Sequence, residues 1–123
     1  MKRLHAQKAK IADLNDRFRQ WKRHGLSHLH FSPGISALDL DTQVNALIAI
    51  HSYGFSNRPD FSGERRFGTV EINKHLIYWK ILYRQYDWNH RQDAAPDPAD
   101  GRKTRRVLVL WDSHEGAYDP EHT

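Results

Sequence analysis

The stretch from Phe67 to Arg84, FGTVEINKHLIYWKILYR, constrains this chain most. Val, Ile, Thr and Tyr crowd two arms around one polar pair, Asn73-Lys74. β-Branched and aromatic side chains suit a pleated, half-buried surface, and Asn tolerates the positive φ of a tight turn. The pattern predicts a β-hairpin turning at Asn73-Lys74, with Ile72 facing His75 and Val70 facing Ile77. Side chains alternate along a strand. Val70, Ile72, His75, Ile77, Trp79, Ile81 and Tyr83 therefore share one face, which reads as core. Thr69, Glu71, Leu76, Tyr78, Lys80 and Leu82 share the other, where Leu76, Tyr78 and Leu82 form a surface for something else to cover. A lone hairpin is marginal in water, so the rest of the chain must supply a third strand and helical cover.

The third strand is Arg105 to Asp112, RRVLVLWD. Its apolar run from Val107 to Trp111 predicts burial on both faces and a central place. Residues 28–31 form a short extended patch suited to an edge. The cover comes from two helices. In the first, Ile11, Leu14, Phe18 and Trp21 recur at helical spacing. Its polar face holds Asp13, Asp16, Arg17, Arg19, Gln20 and Lys22, with Asp13 and Arg17 as an i,i+4 pair. Gly25 ends it, after Lys22, Arg23 and His24. Ser32-Pro33-Gly34 reads as a turn. Asp39 or Asp41 then caps the second helix, whose expected buried stripe is Leu40, Val44, Leu47 and Ile48, closing at Tyr53-Gly54. Residues 55–66 read as a polar loop, and 85–104 as a long connection in which Pro96 and Pro98 forbid regular structure. The expectation is one α+β domain over 1–123. It has a three- to four-stranded, mostly antiparallel sheet with two helices packed on one face, and 1–10 and 116–123 as frayed tails.

At 123 residues the chain is long enough for one real core. It has no cysteine, which excludes disulfides and thiol chemistry. No run approaches the length of a membrane span and no apolar leader follows Met1-Lys2-Arg3, so a cytoplasmic protein without membrane contact is expected. The net charge is +4 and the pI about 9.5, which modestly favours anionic partners. The charge is uneven. Residues 1–31 carry eight Lys or Arg against two Asp, whereas 92–123 carry four basic and seven acidic residues. A basic front suits nucleic acid; it equally suits a solvated helix face.

Several segments together carry a resemblance. They are Ile11-Ala-Asp-Leu-Asn-Asp-Arg-Phe-Arg19, Pro59-Asp-Phe-Ser-Gly-Glu-Arg-Arg-Phe-Gly68 and Tyr78-Trp-Lys-Ile81. Asp97-Pro-Ala-Asp100 and Thr104-Arg-Arg-Val-Leu-Val-Leu110 complete the order. The chain resembles the DUF3768 family, small bacterial proteins often carried on plasmids and other mobile elements. The likeness runs over roughly 11–119. The family's usual loop carries a His-Asp pair where Arg65-Arg66 stands, while Gly63, Glu64, Phe67 and Gly68 are kept. Leu82 stands where the family's W-K-I-D motif has its Asp. An acid, base or metal ligand at those positions is therefore missing. The resemblance implies an accessory role in a mobile element and assigns no chemistry.

Three constellations remain. In the loop, Asn57, Arg58, Asp60, Glu64, Arg65 and Arg66, with Lys80 of the hairpin, offer guanidinium forks for phosphate or carboxylate. On the first helix, Lys8, Lys10, Arg17, Arg19, Lys22 and Arg23 suit phosphate contacts without sequence readout. Tyr78 or Trp88 would stack bases. Among the histidines, His28 and His30, and Asp112 and His114, share a spacing of two, but no zinc frame surrounds them. Glu64 with His75 or His90 is the one acid–base pair conceivable.

The expected function is non-enzymatic binding of a host protein or nucleoprotein, with no cofactor. Its anchors are Arg58, Arg65, Arg66 and Lys80, supported by Glu64, Arg17, Lys22 and Arg23. Its most concrete form is an anti-defence inhibitor of the anti-CRISPR or antirestriction type. The alternatives are a nucleic-acid-binding regulator using the basic helix and a metal-dependent hydrolase or nuclease using Glu64 and a histidine.

Overall fold

The computed structural model of the chain describes residues 2–20, 29–55, 58–60, 62–85, 97–101 and 104–118. Their elements run α1 (Lys2–Arg19), β1 (Leu29–Phe31), α2 (Pro33–Ser36), α3 (Leu40–His51), β2 (Phe67–Ile72), β3 (His75–Gln85) and β4 (Thr104–Asp112). A short 3-10 turn, Ser113–Glu115, follows. The chain is α+β, with a four-stranded sheet in the order β1-β4-β3-β2. Of its three strand pairs, β1–β4 is parallel and the other two are antiparallel.

β2 and β3 form the expected hairpin, with Ile72 opposite His75 and Val70 opposite Ile77. Asn73 and Lys74 both take positive φ, 49° and 70°, as the tightest hairpin turn demands. The Asn73 amide donates to the Thr42 hydroxyl at 2.9 Å, which ties the turn to α3. β4 is central, and Val107 to Leu110 are buried. The helices cover one face. There Phe18, Ile35, Ala46 and Ile50 pack on Val70, Ile77, Trp79, Ile81, Leu108 and Leu110. On the other face Leu82, Val107 and Val109 make a smaller cluster, closed by Trp111 and Tyr118.

Four expectations are corrected. α1 starts at Lys2, nine residues before Ile11, where the helical spacing in the sequence begins. Ser32-Pro33-Gly34 is not a turn. Ser32 caps α2 by accepting from the Ile35 N–H, and Pro33 opens the helix where a missing N–H costs nothing. In α3, capped by Asp39, three of the four residues of the expected stripe face outward: Leu40, Val44 and Ile48 are 71%, 42% and 58% exposed, while Leu47 packs against the core as expected. Thr42, Ala46 and Ile50 face the sheet instead. Arg19, placed on the polar face of α1, is buried at 3% exposure. The readings at Trp21 to His28, and at Trp88, His90 and Pro96, lie outside the described residues.

Candidate binding site

Asp60 organises the loop that leads into β2. Its carboxylate accepts from the Arg65 N–H at 3.0 Å, and its carbonyl accepts from the Gly63 N–H at 3.1 Å. Gly63 takes φ +72°, which costs a glycine little. Arg65 takes φ +53°, a rarer conformation for a side-chain-bearing residue. Its guanidinium is held by Asp16 of α1, which binds Arg19 through its other oxygen. Arg19 in turn donates to the Ile50 and Tyr53 carbonyls at 3.2 and 2.9 Å, satisfying the C-terminal end of α3. Arg65 is thus tied to α1 through Asp16, with its side chain 44% exposed.

Behind the loop lies a polar network that crosses three elements. The Asn15 amide donates to the Glu64 carbonyl and to the Tyr83 hydroxyl, each at 2.9 Å. The Tyr83 hydroxyl donates to the Glu64 carboxylate at 2.8 Å. Arg106 donates to the Asn15 side-chain oxygen and to the Pro98 carbonyl. Burial pushes the Tyr83 phenol up to about 12 and lowers the pKa of Arg106. Glu64 is therefore an acceptor inside a closed network. It is not paired with a histidine among the described residues: His75 lies at the other end of β3, 3.1 Å from Asp112. His30 meets the Tyr118 hydroxyl at 2.7 Å, and Asp112 caps the 3-10 turn.

Beside this network runs a groove of about 640 Å³ at the start of β2. Arg58, Arg66 and Lys80 line it, together with Tyr53, Phe67, Tyr78, Trp79 and Trp111, and no described residue of the lining is acidic. Arg58 is exposed, with its guanidinium 4.3 Å from the Tyr53 ring centre. Arg66 lies over Tyr83 at 4.5 Å, and its guanidinium is 3.9 Å from the Glu64 carboxylate. Lys80 reaches the Tyr118 carbonyl at 3.3 Å and stands over Trp111. Cations held on aromatic faces keep their charge available to a ligand. On the floor, a Cβ at Gly68 would stand 2.5 Å from the Tyr53 hydroxyl and 3.0 Å from the Trp79 indole nitrogen. That indole N–H is buried and has no hydrogen-bond partner among the described residues.

Three of the expected anchors, Arg58, Arg66 and Lys80, thus come together. Arg65, paired with Asp16, and Glu64, bonded to Tyr83, are not part of the lining. Arg17 is exposed on α1 and pairs with Asp13 at 3.2 Å. Lys22, Arg23 and Asn57 lie outside the described residues. Sequence reasoning missed Asn15, Arg106, Tyr53 and Trp111. The legible signal was Asn15, which falls four residues after Ile11 and three before Phe18, on the buried stripe itself. A polar residue there must find buried partners.

A protein-family model described as a protein of unknown function (DUF3768) matches residues 31–115. The chain belongs to the DUF3768 family. The match begins at Phe31, so α1 lies outside it. No curated protein and no solved structure matches the chain. Within the DUF3768 segment, Gly63 supplies a positive-φ position, Glu64 the network's carboxylate, and Gly68 the close approach to Tyr53. No helix among the described residues is long and apolar enough to cross a membrane.

Proposed function

We propose that this DUF3768 protein is a non-enzymatic binding protein that holds an anionic partner in the groove at the start of β2. The observation that carries this reading is the charge of the lining: Arg58, Arg66 and Lys80, with no acidic residue among the described residues of the lining itself and Glu64 behind it, 3.9 Å from Arg66. Aromatic walls supply apolar contact area, and the cations supply attraction and orientation. The implied setting is an accessory factor of a bacterial mobile element acting on a host protein or nucleoprotein. An anti-defence inhibitor is its most specific form. The mobile-element setting rests on the family resemblance, whereas the groove speaks only to the charge of the partner.

The test is a titration of the purified protein with two polyanions, an oligothymidylate and a Glu-Val peptide. At least one binds, and binding weakens between about 50 and 200 mM salt as screening rises. The triple variant Arg58→Glu, Arg66→Glu, Lys80→Glu loses at least about tenfold in affinity, while Arg17→Glu changes little. Failure of both polyanions to bind, or equal loss from both variants, defeats the reading.

A further inference from the structure

We propose that the occupant of the groove is an extended acidic segment of a partner protein, added to the sheet as a new strand alongside β2. This rests on the anionic-partner reading above and specifies its geometry.

The sheet order leaves β2 at an edge. Ile81 donates its N–H to the Arg66 carbonyl at 2.7 Å, in register with the rest of the hairpin. Hydrogen-bonded and non-hydrogen-bonded pairs alternate in an antiparallel ladder. Gly68 and Val70 therefore bond inward to β3, and Thr69 and Glu71 turn their N–H and C=O groups outward. Both residues are exposed, and no hydrogen bond from the described residues reaches those outward groups. Such a row is a ready template for another chain. Protein edges are usually blunted by lysine, proline or a bulge. Phe67–Ile72 has no lysine or proline, its one charge is Glu71, five positions from Arg66, and its pairing runs unbroken.

The groove adjoins the start of this edge, where Phe67, Gly68 and Thr69 line it. Tyr53 stands on the helix-covered side and Tyr78 and Lys80 on the other, so the first residues of a strand laid along β2 meet groove side chains from both faces of the sheet. The charge selects the occupant. A second copy of β2 offers a single carboxylate, Glu71, to the three cations Arg58, Arg66 and Lys80. A nucleic-acid strand would answer the cations but not the outward amides and carbonyls of Thr69 and Glu71. An acidic peptide in extended form answers both.

The probe is a blocked Glu-Val peptide of about eight residues, a common strand length. It is compared with its Lys-Val counterpart, with oligothymidylate, and with two forms N-methylated at alternate residues. Methylation in one phase removes the donors of one peptide edge and leaves the charge intact. The expected result is binding of the Glu-Val peptide and not of the Lys-Val peptide. One methylated form loses at least about tenfold in affinity. Amide hydrogen exchange at Thr69 and Glu71 slows in the complex. Thr69→Pro removes one outward N–H at an edge position that tolerates proline, and it abolishes binding. If that variant does not fold, the methylated peptides and the exchange rates decide. Oligothymidylate binding without peptide binding overturns strand addition and leaves the anionic-partner reading standing. Peptide binding with both methylated forms at full affinity overturns it too. No binding by any probe overturns both.

Discussion

The Nε of Arg106 donates to the side-chain oxygen of Asn15, joining β4 to α1 across a separation of 91 positions. Asn15 spends its amide on Glu64 and Tyr83, so one fully buried side chain serves three partners. Leucine at this site fits the volume but takes one acceptor from the Arg106 guanidinium and one donor from both the Tyr83 hydroxyl and the Glu64 carbonyl. Leaving a charged hydrogen-bonding group unsatisfied costs about 2–3 kcal/mol. Asn15→Leu should lower stability by that amount in urea denaturation. A change within experimental error would show that water reaches the network.

Tyr83 gives the same network an alkaline limit. Its folded pKa, about 12, lies above the ordinary 10.0. The folded state therefore favours the neutral phenol. The contribution is complete below the ordinary pKa and is lost as pH rises from about 10 to about 12. The urea midpoint should fall across that window, and Tyr83→Phe should flatten the fall. An identical decline in both proteins would place the alkaline sensitivity elsewhere.

Glu115 sets an acid limit at the opposite corner. Burial alone raises a carboxyl's pKa, but here the Ser32 hydroxyl and the backbone N–H groups of Asp112 and Gly34 outweigh it and hold Glu115 below its ordinary 4.5. With the folded pKa depressed, the stabilisation is present above the ordinary value and disappears as pH falls through the folded one. Glu115→Gln should be less sensitive to acid between about pH 5 and 3. Gly34→Ala bears on the same contact. Its Cβ would collide with the Glu115 carboxyl group, so that side chain must leave Ser32 and Gly34. The cost should be about 1–3 kcal/mol, as for other overpacked sites.

The sheet was legible because period-2 alternation and a polar dipeptide suffice to set a hairpin and its register. The central strand was legible from its unbroken apolar run. The polar network was not, because its members stand at 15, 64, 83 and 106 and nothing local distinguishes a buried arginine from a solvated one. The groove was half legible. Arg58, Arg66 and Lys80 were candidates from charge alone, while Arg65 differs only in which way its backbone turns it.

The misread face of α3 has its own test. The helix carries apolar residues around most of its circumference, so periodicity offers two faces, and side-chain bulk favours the one that stays outside. The sheet takes the smaller face because Thr42 and Ala46 let the helix axis approach β2, and because Thr42 accepts from Asn73 at the hairpin turn. Leu40, Val44 and Ile48 are left toward solvent. Leu40→Glu, Val44→Lys and Ile48→Glu should each shift stability by no more than about 0.5 kcal/mol, the usual range for surface positions. Combining Leu40→Glu with Val44→Lys places opposite charges one turn apart, a favourable i,i+4 contact. Ala46→Leu, one turn from Thr42 on the packed side, should cost about 1–3 kcal/mol by overpacking. Urea midpoints for the single variants check this. If the three outer changes unfold the protein and Ala46→Leu is silent, α3 docks by its bulky face and its interface with the sheet is rotated.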